Sequence, residues 1–338
     1  MKECWQRVSV YASNTYKIHT KDAYQIPAVK SMSGSVVILG VFVADTTYRA
    51  DRAPRMGETI LGNSFALGPG GKGSNQSVAA ARAGGQVHFI TRLGRDAFAD
   101  MALKLWSDAG VTPHVTQPDG AYTGAAYIFV EESSGNNAII ICPGVAGTIA
   151  PADIDGCINL LREASVFVTQ LEQPIDAALH GLQTARSLGA TTILNPAPAA
   201  ALPDSMLGLC DFITPNETEA EAMTGIPVHS IDDASRAAKN LLSRGVGAAI
   251  ITLGENGALY CDAQTSVHVP AVNAGPVVET TGAGDAFNGA FATALADGLN
   301  PVEAVRFGCA AAGLSVTRPG AANSMPMRKD ILALLGQT

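Results

Sequence analysis

Charge is scarce in this sequence, at 15% of residues, and basic charge is scarcer still, with 22 Lys and Arg against 30 Asp and Glu. The net charge of -8 argues against nucleic acid as a partner, because phosphate backbones attract basic surfaces. A small phosphorylated ligand stays open, since local dipoles can hold one. No stretch of 18 or more apolar residues occurs, so a membrane-spanning helix is not expected. The six cysteines (Cys4, Cys142, Cys157, Cys210, Cys261 and Cys309) form no CxxC pair. In so long a chain they read as reduced, buried thiols of a soluble, cytoplasmic protein rather than as a disulfide framework. The six histidines show no HExxH or similar spacing, which argues against a zinc enzyme. Aromatics are few, at 6%, whereas glycine is plentiful, with 35 residues, a balance that suits close packing of helices on a sheet.

Residues 1–31 carry Lys2, Arg7, Lys17, Lys21 and Lys30 against Glu3 and Asp22, a basic stretch on an acidic chain. It has no apolar core of a secretory signal. Residues 1–32 are therefore expected to be a disordered N-terminal extension, with the functional chain running over 33–338.

From there the pattern alternates. Val36–Val43 is a continuous apolar, β-branched run, the mark of a strand buried on both faces. Strands are expected at Val87–Thr91, Val166–Gln170, Thr191–Leu194, Phe212–Thr214 and Ala248–Thr252, the last being the final core strand. Helices are expected at Ser74–Ala83, Ala97–Ala109 (ended by Gly110), Asp176–Leu188, Glu217–Met223 and Ile231–Arg244. This alternation implies right-handed crossovers and a mostly parallel sheet flanked by helices, a three-layer α/β sandwich. Thr46–Leu67 and Ala121–Cys142 alternate polar and apolar residues with no helix between them, and are read as antiparallel strands of a small lid. Polar residues stand where the parallel strands end: Asp45, Glu172, Asn195, Asn216 and Thr252. In open α/β sheets that edge is where ligands bind.

Four clusters carry the chemistry. Gly68-Pro-Gly-Gly-Lys-Gly-Ser-Asn75 matches GxGxxG but lies too far beyond the first strand for a dinucleotide fold. It also fails the P-loop pattern, because Gly73 follows Lys72. It offers bare backbone at a helix N-terminus beside Lys72 and Asn75, suited to a polyhydroxylated ligand; taken alone, it is equally a close-packing turn. Thr280-Thr-Gly-Ala-Gly-Asp-Ala-Phe-Asn-Gly289 opens the helix Asp285–Ala296. Amides of Gly282, Ala283 and Gly284 at a helix start form an anion hole for a transferring phosphoryl group. Asp285, in the first turn where the dipole favours its ionised form, is placed to take a proton from an attacking hydroxyl; the plain alternative is a helix-terminus acid. Asn216 and Glu219, at a strand end and first helical turn, suit a hydrated Mg²⁺, or simply cap the helix. Thr252-Leu-Gly-Glu-Asn-Gly257 is a strand-end turn that suits a nucleotide, a weak signal by itself.

Together these segments resemble the ribokinase-like (phosphofructokinase B type) carbohydrate kinases from about Ser35 to the C-terminus. The resemblance also takes in Gly57-Glu-Thr59, Gln170-Leu-Glu172, Asn195-Pro-Ala-Pro-Ala199, the stretch Thr214–Glu221 and Val316-Thr-Arg-Pro-Gly320. It implies phosphorylation of a sugar by ATP, with ribose 5-phosphate as the expected product, or the same chemistry on another sugar, a deoxysugar or a nucleoside. It places Asp45, Gly71, Lys72, Gly73, Asn75, Glu172 and Asp285 on the sugar. Asn216, Glu219, Thr252, Leu253, Gly254, Glu255, Asn256, Gly257, Gly284 and Cys309 fall on the nucleotide side, with Mg²⁺ reached from Glu219 through water. Gly282, Ala283, Gly284 and Asp285 form the phosphoryl centre. Glu279, Thr281, Ser315, Arg318, Gly320 and Ser324 match positions around a monovalent cation, K⁺, and the lid strands match a homodimer interface. The chain departs from the ribose-specific pattern at Val43, where an Asn that contacts the sugar is usual. It departs again at Glu279, where Asp is usual, and at Cys309. A dehydrogenase of the dinucleotide-binding fold would need its glycine loop on the first strand, and Gly40-Val-Phe-Val43 lacks one. A sugar sensor without catalysis would not need Asp285.

Overall fold

The structure, a computed structural model, describes residues 34–336; the expected N-terminal extension lies outside them. Thirteen strands run along the described chain. They are β1 Ser35–Leu39, β2 Val43–Ala50, β3 Ser64–Gly70, β4 Gln86–Arg92, β5 Val111–Thr116, β6 Thr123–Glu131, β7 Asn137–Gly144, β8 Ala164–Thr169, β9 Thr191–Leu194, β10 Phe212–Ile213, β11 Ala248–Thr252, β12 Ala258–Cys261 and β13 Ser266–Val269.

Nine of these form one sheet in the order β13-β12-β11-β10-β9-β8-β1-β4-β5. From β11 to β5 every neighbour pair is parallel. The reason is in the sequence: Val36–Leu39 and Phe167–Val168 are fully buried, and strands apolar on both faces need helices on both faces. One helical layer packs Phe42, Phe89, Trp106, Phe291 and Phe307 against the sheet. The other packs Leu39, Phe167, Leu182, Leu207 and Ile251. The expected three-layer α/β sandwich is the fold.

Helix ends follow local chemistry. Ala97–Ala109 starts at Asp96, whose carboxylate accepts from Ala99 N at 2.9 Å, and stops at left-handed Gly110, the bounds expected from the sequence.

Three expectations are corrected. The apolar run Val36–Val43 is not one strand. β1 ends at Leu39 because Gly40 passes against Gly73, where a Cβ on Gly40 would lie 2.8 Å from the Gly73 Cα; Val43 then opens β2 in a second sheet. That sheet has the order β3-β2-β6-β7. Its strands are not all antiparallel: β2 and β6 pair in parallel, because the chain leaves this sheet after β3 to form β4 and β5 at one edge of the main sheet and re-enters it at β6. Finally, Ala248–Thr252 is not the last core strand. The antiparallel hairpin β12–β13 extends the sheet, and β5 adds the opposite edge. Pro113 in β5 blurs the strand signal and is tolerated because the strand is an edge.

Candidate active site

Two helix N-termini meet at the carboxyl edge of the main sheet. The helix Lys72–Arg82 begins at Gly71, whose φ of 89° is one that L side chains rarely adopt. A Cβ there would also stand 2.5 Å from Val41 O. The helix Ala283–Ala296 begins at left-handed Gly282. The two helices cross closely at Gly289, where a Cβ would lie 2.5 Å from Gln76 O. That crossing brings Asn75 and Gln76 onto Asp285. Asn75 Nδ2 donates to Asp285 Oδ2 and Gln76 Nε2 donates to Asp285 Oδ1, both at 3.0 Å. Asn75 is buried, yet its Oδ1 has no hydrogen-bond partner. A Cβ on Gly284 would meet nothing within 4 Å, so the start of the second helix stays open beside Asp285.

Glu172 follows β8 and accepts from Lys72 N at 2.7 Å. Asp45 is not at the end of a core strand, as expected, but within β2. Val43 is two residues away on the same strand, so the two side chains share a face.

The charges are unevenly matched. Burial pushes the Asp45 carboxyl up to about 6. It pushes Glu172 up to about 7, against the pull of the Lys72 charge and amide. Burial also raises Glu219, and it raises Asp285 against Lys72 and the two amide donors. The helix terminus favours an ionised Asp285, but burial works the other way and prevails. Burial opposes the Lys72 ammonium too, but Asp285, Glu172 and Glu219 outweigh it and hold Lys72 above its ordinary value. Lys72 thus feels carboxylates from three separate elements: the helix Ala283–Ala296, the segment after β8 and the helix Glu217–Thr224.

Asn216 and Glu219 form a capping box: Glu219 N donates to Asn216 Oδ1 at 2.8 Å and Asn216 N donates to Glu219 Oε2 at 2.9 Å. The capping alternative is therefore real, and it leaves Glu219 Oε1 for a water or cation. Thr252 bridges to Asn216. Leu253–Gly257 form a tight turn around the 3-10 helix Gly254–Asn256, with Leu253 N donating to Gly257 O at 2.8 Å; Glu255 and Asn256 are exposed. Cys309 is buried in the core and its thiol is pushed up to about 12, so it packs rather than presents a reactive group.

Of the residues matched to a monovalent cation, the structure gathers most but not all. Gly320 N donates to the Glu279 carboxylate at 2.8 Å, Glu279 N reaches Val316 O at 3.2 Å, and Arg318 N reaches Ser315 O at 3.1 Å. The Arg318 guanidinium turns to Asp330 at 3.6 Å. The hydroxyls of Ser315 and Ser324 donate to the nearby carbonyls of Ala312 and Ala321 at 2.8 Å; Thr281 is exposed and Ser324 is buried in a separate 3-10 turn. Among the described residues no group of three or more His, Cys, Asp or Glu is placed to hold a metal. A cation here would draw on backbone carbonyls.

Gln76 went unsingled in the sequence. The available signal was a large amide on an otherwise small-residue helix face, Ser77–Ala81, where only a partnered polar group belongs.

The sequence matches the pfkB family carbohydrate kinase over residues 34–328. It is 35% identical over 305 residues to the ribokinase of Haemophilus influenzae, covering 90% of this chain and 99% of that one. It is 37% identical over 295 residues to the deoxyribokinase of Salmonella typhi, covering 86% and 95%. In structure it is similar to Arabidopsis thaliana ribokinase complexed with ribose and ATP, with a TM-score of 0.87, 32% identity and coverage of 91% and 100%.

Proposed function

This chain belongs to the pfkB family of carbohydrate kinases, and from that premise we propose that it moves the terminal phosphoryl group of ATP onto the primary hydroxyl of ribose or 2-deoxyribose. The observation that carries the reading is the buried contact of Asn75 with Asp285 beside the open start of the Ala283–Ala296 helix. Asn75 Oδ1, Asp45 and Glu172 are acceptors, and an acceptor-lined pocket suits a ligand made of hydroxyl donors. Asp285 takes the proton of the hydroxyl whose oxygen attacks the γ-phosphorus; the bond to the leaving ADP oxygen breaks as the new P–O bond forms. Amides of Gly282 and Gly284 face the charge that builds on the phosphoryl oxygens; the Ala283 amide, expected to join them, is instead given to Thr280 O at 3.1 Å. The Thr252–Gly257 turn and Asn216 border the nucleotide. Mg²⁺, when bound, would neutralise phosphate charge, with Glu219 Oε1 holding its water; K⁺, when bound, would be held by backbone carbonyls of the loops that carry Glu279 and Gly320. The five described cysteines are all free, which fits a cytoplasmic location. The test is ADP release measured on a panel of pentoses, hexoses and nucleosides. Turnover on none of them would sink the reading.

Val43 favours the deoxysugar alternative. It faces the same way as Asp45 but offers no hydrogen bond, so it cannot select for a hydroxyl that an amide would bind. Val43→Asn is expected to shift kcat/KM toward ribose over 2-deoxyribose by about 1 kcal/mol, the net worth of one neutral hydrogen bond. An unchanged ratio would remove Val43 from substrate selection.

The second sheet we read as a lid and homodimer interface. Tyr48, Phe65, Leu67, Tyr127 and Ile140 share its outer face by strand register, and Phe65 and Ile140 are 58% and 63% exposed. Tyr48 packs 5.1 Å from Phe65 and 5.4 Å from Tyr127 between ring centroids. Such a patch marks an interface. Tyr48→Glu with Ile140→Glu should convert two-chain particles to one-chain particles by light scattering; a wild-type protein that is already one chain refutes the interface.

A further inference from the structure

Behind Asp285 lies a relay of buried amides. Gln76 is fully buried, and Gln170 and Asn195 nearly or wholly so. Asn195 Nδ2 donates to Thr214 O at 3.1 Å, and a backbone carbonyl only accepts. That contact turns Asn195 Oδ1 toward Gln76, whose Nε2 donates to it at 3.0 Å. The same Nε2 gives its second hydrogen to Asp285 Oδ1 at 3.0 Å. Gln76 Oε1 is left to accept from Gln170 Nε2 at 2.6 Å. Flipping Gln76 would set oxygen against Asn195 Oδ1 and against the Asp285 carboxylate, and nitrogen against Gln170 Nε2. The carbonyl at the end of β10 therefore dictates which end of Gln76 meets Asp285.

We propose that Gln76 is a positioning residue for the phosphoryl transfer: locked by Asn195 and Gln170, its amide anchors Asp285 Oδ1 and fixes the plane of the carboxylate. The proposal rests on the reading of Asp285 as the base. Asn75 holds the other oxygen, but Asn75 is itself assigned to the sugar, so Gln76 is the anchor that does not change when substrate enters. Because Gln76 can only donate here, it supports the carboxylate over the carboxylic acid. The charged groups that act with it are Lys72 on its own helix, Glu172 after β8, Glu219 on the helix Glu217–Thr224 and, next to Glu172, Asp45 on β2.

The test uses the full chain with Gln76→Met, which keeps length and removes the donor. Loss of orientation at the reacting group predicts kcat lower by about 10²-fold, with KM for MgATP unchanged. The acid limb of the kcat–pH profile should move up by about one pH unit, the effect of removing a hydrogen bond to a charged group. In an Asp285→Ala background the same substitution should cost almost nothing further, because residues that act through one another are not additive. An equal fold-loss in both backgrounds, or an unmoved acid limb, overturns the proposal in favour of a packing role. If Gln76→Met does not fold, Gln170→Met removes one of the two contacts that lock Gln76 and leaves its Oε1 unpaired, which loosens the amide and should give a smaller effect of the same sign; an unmoved limb there overturns it equally. Near-normal turnover in Asp285→Ala alone would instead bring down the base assignment itself.

Discussion

Asp285→Asn is expected to lower turnover by about 10²–10⁴-fold, the usual worth of a general base, while sugar and MgATP still bind. The geometry says more than that the base is gone. Both Asp285 oxygens accept from amide nitrogens, Asn75 Nδ2 and Gln76 Nε2. An asparagine must set its own NH₂ against one of those donors, so its side chain has to turn. Asp285→Ala avoids that conflict and separates it from the loss of the base. If the two variants lose turnover equally, the missing proton acceptor accounts for the effect; a much worse Asn variant measures the clash. The thermal scan supplies a second check. Burial raises the Asp285 pKa in the folded protein, so ionising it costs stability once pH exceeds its ordinary value near 3.8. Alanine removes that cost and the two hydrogen bonds together, so little change in melting temperature at pH 8 is expected. Near-normal turnover in either variant would remove Asp285 from the chemistry.

Much of this site was legible before any coordinates, because the residues involved break the local pattern. Lys72, Asn75 and Asp285 interrupt glycine- and alanine-rich stretches, and elsewhere the bounds of the helix Ala97–Ala109 follow from capping chemistry at Asp96 and Gly110. The parallel sheet was legible for the same kind of reason, since Val36–Leu39 and Ala249–Ile251 are apolar without alternation. What stayed hidden depends on contacts distant in sequence. Gln76 and Gln170 are 94 residues apart, and nothing in either segment names the other as its partner. The break after Leu39 is set by the approach of Gly40 to Gly73 on another element, and Gly40 is its one mark within the apolar run Val36–Val43. The parallel pairing of β2 with β6 follows from the route of the chain between them, which strand patterns do not encode. The shift of Asp45 from a core strand end to the second sheet is a consequence of the same break.

The charge on Lys72 shows how the two halves of the site are joined. The sequence resemblance implies that Lys72 meets the sugar alone, but its ammonium interacts with Asp285 and Glu172 and also with Glu219, which we propose to lie on the nucleotide side. Four carboxylates gather here (Asp45, Glu172, Glu219 and Asp285), and the negatively charged phosphates of ATP must approach them. Without Lys72 that approach is opposed by every nearby side-chain charge. Lys72→Met is therefore expected to lower kcat/KM by about 10²–10³-fold, the scale of removing one preorganised electrostatic group from a transition state. Lys72→Arg keeps the charge but replaces a compact ammonium by a planar fork, and should recover part of the loss. Stability should respond with a definite sign. Lys72 lowers the pKa values of Glu172, Glu219 and Asp285, so its removal raises them further above their unfolded values. A carboxylate raised in the folded state carries no penalty while both states are protonated. The penalty grows as pH climbs from the ordinary carboxylate range through about 7, where Glu172 already titrates. The melting temperature of Lys72→Met should thus lie close to wild type at pH 5 and clearly below it at pH 8. The partial exposure of Lys72 limits the gap to about 1–3 kcal/mol, less than a fully buried pair would lose. Equal melting curves at both pH values, together with unchanged kcat/KM, would show that Lys72 carries no charge role in this site.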